Sequence, residues 1–295
     1  MKLLNLISFK NLLLIAFGLL VFRYGFLDLQ SGLPLALNHW KYLLMVLATL
    51  LVAAAGFFIT NYHTEDEKTL SEGKAYNIYG GLTLIGVGIG YYLSNDLGKP
   101  IIVAVLIITA AIIYLYASSL KQMLIVGNLI VATAVAMSII IIGVYNLYPV
   151  VLPHNKVYLA TIFELMLDYT LFVFIITFIL TLIYNLRDTD TDYNNGNATL
   201  PIALGKERAI KVTFFLTLIP LALLVYYGNE YLIHLTWAIG YGLLFVVCPI
   251  IYFLIKLWTA KTSKDFNHLT VILKLVLFFT IISIAVITYN INNNA

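Results

Sequence analysis

Long apolar runs alternate with short polar breaks along the whole chain, and no stretch of soluble-domain length separates them. A membrane-spanning helix needs about 20 mainly apolar residues, and about nine runs satisfy that length. They fall at residues 8–27, 42–61, 76–94, 100–118, 122–147, 158–184, 208–227, 232–256 and 269–290. Periodicity does not subdivide the runs further, because a helix in a lipid-embedded bundle is apolar on nearly every face. The pattern predicts an all-α membrane protein, a single polytopic domain over residues 1–295 with polar loops at 62–75 and 185–207. The first run is unbroken from Leu12 and lacks a small-residue cleavage pattern, so it reads as a retained helix.

Orientation follows from the positions of lysine and arginine. With the N-terminus inside, inner segments hold Lys2, Lys10, Lys68, Lys74, Lys121, Arg187, Lys206, Arg208, Lys211, Lys256, Lys261 and Lys264. Outer segments hold Lys41, Lys99 and Lys156, and Arg23 and Lys274 fall inside proposed spans. The N-terminus is therefore expected in the cytoplasm, the C-terminus outside, and both polar loops in the cytoplasm. The cell (inner) membrane is the expected location.

Composition sharpens the picture. The 295 residues are 62% hydrophobic and 11% charged, with a mean hydropathy of +0.96, where a soluble domain is about a quarter charged. The lipid bilayer is thus the solvent for most of the chain. A net charge of +3 gives no basis for a nucleic-acid partner, and the single Cys248 excludes an internal disulfide.

Candidate chemistry concentrates in the second polar loop. Asp188 and Asp192 are four residues apart, so on a continuing helix they share one face with Cβ atoms about 6 Å apart. Two carboxylates at that spacing repel unless a cation sits between them. Few, oxygen-only ligands suit Mg²⁺, which keeps several waters and takes its other ligands from phosphate. The stretch reads as a diphosphate–Mg²⁺ site at a membrane surface, against the plainer reading of a solvated loop. In the first polar loop Asn61 and Glu65 lie one helical turn apart, ahead of an acidic run, Glu65-Asp66-Glu67. Glu164 and Asp168 share a face of the sixth run, but Asp168 falls about 30 Å of helix from Asp188, where hydration is the favoured reading. Asn128 is expected to hydrogen-bond across helices. The five histidines show no metal-ligand spacing, and Gly80, Gly81, Gly86, Gly88 and Gly90 are expected to let helices approach closely.

These residues resemble the UbiA superfamily of intramembrane prenyltransferases. Asp188-x-x-x-Asp192, followed by Gly196-x-x-Thr199-Leu200-Pro201 and Leu204-Gly205, is similar to that family's second Asp-rich motif. Ala53-Ala54-Ala55-Gly56-Phe57-Phe58-Ile59 resembles the approach to its first, and Lys121 with Gly127-Asn128 is a weaker resemblance. The first motif departs from the family. Aligned without a gap from Gly56, its Asn and first Asp fall on Thr60 and Asn61; a one-residue slip gives Asn61-x-x-x-Glu65 instead. In the second motif the leading Asp is Asn185.

The resemblance implies a helical bundle around a central cavity open toward the cytoplasmic side. It implies Mg²⁺ as cofactor, held by Asp188, Asp192, Asn185, Asn61 and Glu65. Arg187, Lys74 and Lys121 would contact the diphosphate of a polyprenyl donor, with Asp188 and Asp192 catalytic. The acceptor is a small aromatic compound or alcohol, and its binding residues are not legible. A rival reading, favoured by the altered first motif, is a family member that binds an isoprenoid or a partner without turnover. A small-solute transporter ranks last, because it would place its polar features near the bilayer midplane.

Overall fold

A computed structural model of the protein describes residues 6–62, 70–118 and 123–294. Among the described residues there is no β-strand, and the elements are helices: α1 (Phe9–Tyr24), α2 (His39–Tyr62), α3 (Glu72–Asp96), α4 (Ala104–Ser118), α5 (Val126–Asn146), α6 (Lys156–Arg187), α7 (Thr189–Asn194), α8 (Leu200–Leu204), α9 (Lys206–Tyr227), α10 (Thr236–Gly242), α11 (Cys248–Thr259) and α12 (Ser263–Asn294). Eight stretches among the described residues are long and apolar enough to cross a membrane. The chain is an integral, multi-pass membrane protein. Helix α3, in the third expected run, is 25 residues long but is not among the eight. Its glycines, Tyr76, Tyr79, Tyr91, Tyr92 and Asn77 dilute its apolar content.

The residues divide into two compact units, each assembled from separated segments. The first comprises Met1–Arg23, Ser31–Ser118 and Ala136–Thr170. In it α2 packs along α3 and α4, and the contact depends on missing side chains. A Cβ on Gly86 would meet the backbone oxygen of Ala48 at 2.9 Å, and one on Gly56 would meet the Ile113 side chain of α4 at 2.5 Å. At Gly90 the Tyr145 hydroxyl donates to the glycine carbonyl at 3.0 Å. A cluster of Leu6, Ala55, Phe58, Ile59, Tyr62, Ala75 and Tyr79 closes one end of this unit.

Arg23, the unusual cation of the first run, is buried. Its guanidinium donates to Asn146 Oδ1 at 2.8 Å and to the Leu37 carbonyl at 2.9 Å, and lies 5.2 Å from the Tyr42 ring centroid. Burying a charge is costly without such partners, and through them Arg23 joins α1, α2, α5 and the Leu37 segment.

The second unit comprises Tyr24–Gln30, Ser119–Val135 and Leu171–Ala295. Here α9 packs against α11, and α10 and α11 pack against α12. Phe214 of α9 meets Trp258 of α11 edge-on at 5.2 Å, and Ala238 N–H donates to Asn290 Oδ1 at 3.1 Å. Two five-residue π-helical turns, Gly228–Leu232 and Leu243–Val247, interrupt the α geometry. Helix α12 begins with a reciprocal cap: Thr262 N–H donates to Asp265 Oδ2 at 2.9 Å, and Asp265 N–H donates to Thr262 Oγ1 at 3.3 Å.

One element does most to position the polar chemistry. Helix α6 is 32 residues long, about 48 Å, against a hydrocarbon core of about 30 Å. A span expected to stop at 184 runs on to Arg187, so its last turn stands at the polar edge. The 185–207 stretch, expected as a loop, is mostly helical: the end of α6, then α7, α8 and the start of α9.

Candidate functional site

The site grows from the end of α6. Asp188 N–H still bonds the Tyr184 carbonyl at 2.9 Å, but Asp188 itself has φ −100° and ψ 18° and serves as the N-cap of α7. Asp192 N–H bonds the Asp188 carbonyl at 2.9 Å, which keeps the helical pitch across the junction. Asn185, Asp188 and Asp192 therefore follow an i, i+3, i+7 spacing along one face.

Two asparagines hold that face. Asn185 Nδ2 donates to Asn128 Oδ1 at 3.1 Å, and Asn128 Nδ2 donates to Thr181 Oγ1 at 3.1 Å. The cross-helix bond expected of Asn128 is present, and it fixes the amide of Asn185. After α7 the chain reverses at Gly196, whose φ of +70° suits a residue without Cβ. Asn197 then bonds back to Asp192 twice: its N–H to the Asp192 carbonyl at 2.9 Å, its Nδ2 to Asp192 Oδ1 at 3.0 Å. Thr199 and Pro201 start α8, and the buried Thr199 hydroxyl has no hydrogen-bond partner.

Arg187 occupies the centre of this arrangement. It grips Asp188 with a fork, Nε to Oδ1 at 2.7 Å and Nη2 to Oδ2 at 2.5 Å. Its Nη1 donates to Asn267 of α12 at 3.2 Å, and its Cζ lies 4.8 Å from the Tyr184 ring centroid. Bidentate pairs of this kind are among the stronger charge-assisted contacts. Asp190 points elsewhere, toward Lys206 at 3.5 Å with both side chains largely exposed. A hollow of about 400 Å³, lined by Thr189, Asp190, Tyr193, Asn194 and Ile202, lies beside α7. Those α7 positions are on the face opposite Asp188 and Asp192.

The structure thus brings Asn185, Arg187, Asp188 and Asp192 together. Glu65 and Lys121 lie outside the described residues. Asn61 and Lys74 belong to the first unit. There Asn61 Nδ2 donates to the Leu6 carbonyl at 2.7 Å and to Ser8 Oγ at 2.9 Å, and Lys74 is exposed near the start of α3. Among the described residues no group of three or more His, Cys, Asp or Glu side chains is placed to hold a metal. Sequence reasoning missed Tyr184, Asn197 and Asn267. The Asn195-Gly196 pair is a turn signal that leads into Asn197; Asn267, 80 residues from Arg187, carries no local signal.

The helical fold that carries this oxygen-rich turn is similar to those of solved UbiA homologues. The structure matches a digeranylgeranylglyceryl phosphate synthase studied in membranes with a TM-score of 0.67 at 18% identity, covering 96% of this chain and 97% of that one. It matches a UbiA homologue from Archaeoglobus fulgidus, bound to DMAPP and Mg²⁺, with a TM-score of 0.62 at 14% identity, covering 96% and 99%. In sequence, the chain is 25% identical over 220 residues to digeranylgeranylglyceryl phosphate synthase of Sulfolobus acidocaldarius, 70% of this chain and 72% of that protein. No family model matches the chain. In fold the chain is similar to UbiA homologues and in sequence to a digeranylgeranylglyceryl phosphate synthase, in keeping with the motif resemblance.

Proposed function

We propose that this protein is a prenyltransferase that moves a polyprenyl group from its diphosphate to a small aromatic or alcohol acceptor, with Mg²⁺ as cofactor. The observation that carries the reading is the shared face of Asn185, Asp188 and Asp192 with Arg187 among them. The relatives add weight: one is a synthase of a prenylated glyceryl phosphate, and another holds DMAPP with Mg²⁺. The donor set fits the cation. It consists of oxygens only, two of them on carboxylates, and a hard, strongly hydrated ion completes its shell from water and phosphate.

Asp188 and Asp192 would hold the ion, with Asn185 presenting its amide oxygen because its nitrogen is bound to Asn128. Asn61 and Glu65 are the candidate ligands from the first motif. When bound, Mg²⁺ supplies charge neutralisation of the diphosphate. Arg187 turns its fork from Asp188 to the diphosphate oxygens, and Lys74 and Lys121 donate further charge-assisted bonds. The C–O bond of the donor breaks with its electron pair passing to the diphosphate. The acceptor's nucleophilic atom bonds the freed allylic carbon and gives up its proton to solvent. Apolar walls keep water from competing for the same carbon. The site faces the cytoplasm in this reading, with the C-terminus outside and the cell (inner) membrane as the location.

Incubating membranes with labelled geranylgeranyl diphosphate, Mg²⁺ and a panel of acceptors tests it, and label should move to an acceptor only with Mg²⁺ present. A second reading, binding without turnover, is favoured by two observations. Both carboxylate oxygens of Asp188 are taken by Arg187, and the Asn61 amide is tied to the N-terminal segment. It predicts retention of intact labelled donor and no transferred product with any acceptor.

A further inference from the structure

Lys274 is a cation inside a proposed span, and nothing in the motif resemblance uses it. It lies on α12 seven residues after Asn267, two turns further along the same face and about 10 Å deeper. Asn267 touches Arg187, so that face of α12 lines the end of α6. Lys274 Nζ stands 5.9 Å from the Tyr184 ring centroid, and Arg187 Cζ stands 4.8 Å from the same centroid. Two cations therefore share one aromatic ring, one turn inward from Asp188.

Ionisable side chains within a span are expensive and mark substrate pathways more often than packing. Tyr184 provides a resting place for the ammonium, since a cation over an aromatic face is stabilised where water is scarce. An anion entering between Arg187 and Lys274 would relieve the repulsion of two like charges. The donor's diphosphate, if its outer phosphate engages the Asp188 and Asp192 face, extends inward toward its apolar tail. We propose that Lys274 is a substrate-contacting residue whose ammonium takes an oxygen of the phosphate that carries the prenyl carbon. This inference rests on the prenyltransferase reading. When the C–O bond breaks and its electron pair passes to that oxygen, Lys274 donates a hydrogen bond to the growing charge and keeps its proton. Donors aimed at such charge in a water-poor site contribute strongly to rate.

The test uses the full chain in detergent, with inorganic pyrophosphate and Mg²⁺ as the calorimetric probe and labelled geranylgeranyl diphosphate for turnover. Lys274→Met should bind pyrophosphate about 10-fold or more weakly and lose turnover at saturating donor. Lys274→Arg should recover most of both. Lys274→Met with wild-type pyrophosphate affinity and kcat overturns the proposal, as does a rise confined to the acceptor KM. Should Lys274→Met fail to fold, a lysine-acylating reagent on the wild-type protein decides: pyrophosphate with Mg²⁺ should shield Lys274, and unchanged labelling overturns the assignment. A wild-type protein that neither binds pyrophosphate nor transfers label sinks the prenyltransferase reading instead.

Discussion

Asp188 and Arg187 are neighbours in sequence, and neighbours on a continuous α-helix do not face each other. They meet because Asp188 leaves helical geometry, with ψ at 18°, while Asp192 restores the pitch one turn later. The spacing of the acids was legible in the sequence; the junction that lets Arg187 fold onto Asp188 was not, because it depends on a single backbone angle. Alanine at Asp188 or Asp192 should lower Mg²⁺-dependent transfer by about 100-fold or more, measured as labelled product from purified membranes. The fork also sets the order of events. With Asp188 occupied by Arg187, Mg²⁺ alone should bind poorly, and adding pyrophosphate should raise its affinity by at least about 10-fold. Titration calorimetry of Mg²⁺ with and without pyrophosphate checks this, and equal affinities would show that the fork does not compete.

Helices and their spans were readable because length and apolarity alone decide them. Expected runs at 42–61 and 208–227 are observed as α2, His39–Tyr62, and α9, Lys206–Tyr227. Charged helices such as α7, six residues with two acids, escape that signal, as does the π-helical turn Leu243–Val247, whose residues are as apolar as their flanks. The glycines of α3 were read as close-approach positions, and the structure separates them. Gly86 faces the Ala48 backbone oxygen, whereas a Cβ on Gly88 meets nothing within 4 Å. Gly86→Ala should therefore cost about 1–3 kcal/mol, since a backbone atom cannot turn aside. Gly88→Ala should be neutral or stabilising by up to about 1 kcal/mol. Thermal unfolding of the two variants in detergent, compared with wild type, measures the difference.

At the scale of the whole molecule, the number of crossings fixes where the termini lie. Eight crossings would leave both termini on one side of the membrane, and nine would put them on opposite sides. Helix α3 is 25 residues long, about 37 Å, enough to cross, and the proposed orientation, drawn from the lysine and arginine asymmetry, has it do so. A C-terminal alkaline phosphatase fusion expressed in bacteria should thus be active and a C-terminal green fluorescent protein fusion dark. The reverse pair of signals would take α3 out of the bilayer. The contact at Gly86 bears on how this comes about during synthesis. A segment too weakly apolar to partition into lipid on its own must enter beside a partner, and α2 offers a seam into which the α3 backbone fits without side chains in the way. The two helices would then leave the translocon as a hairpin.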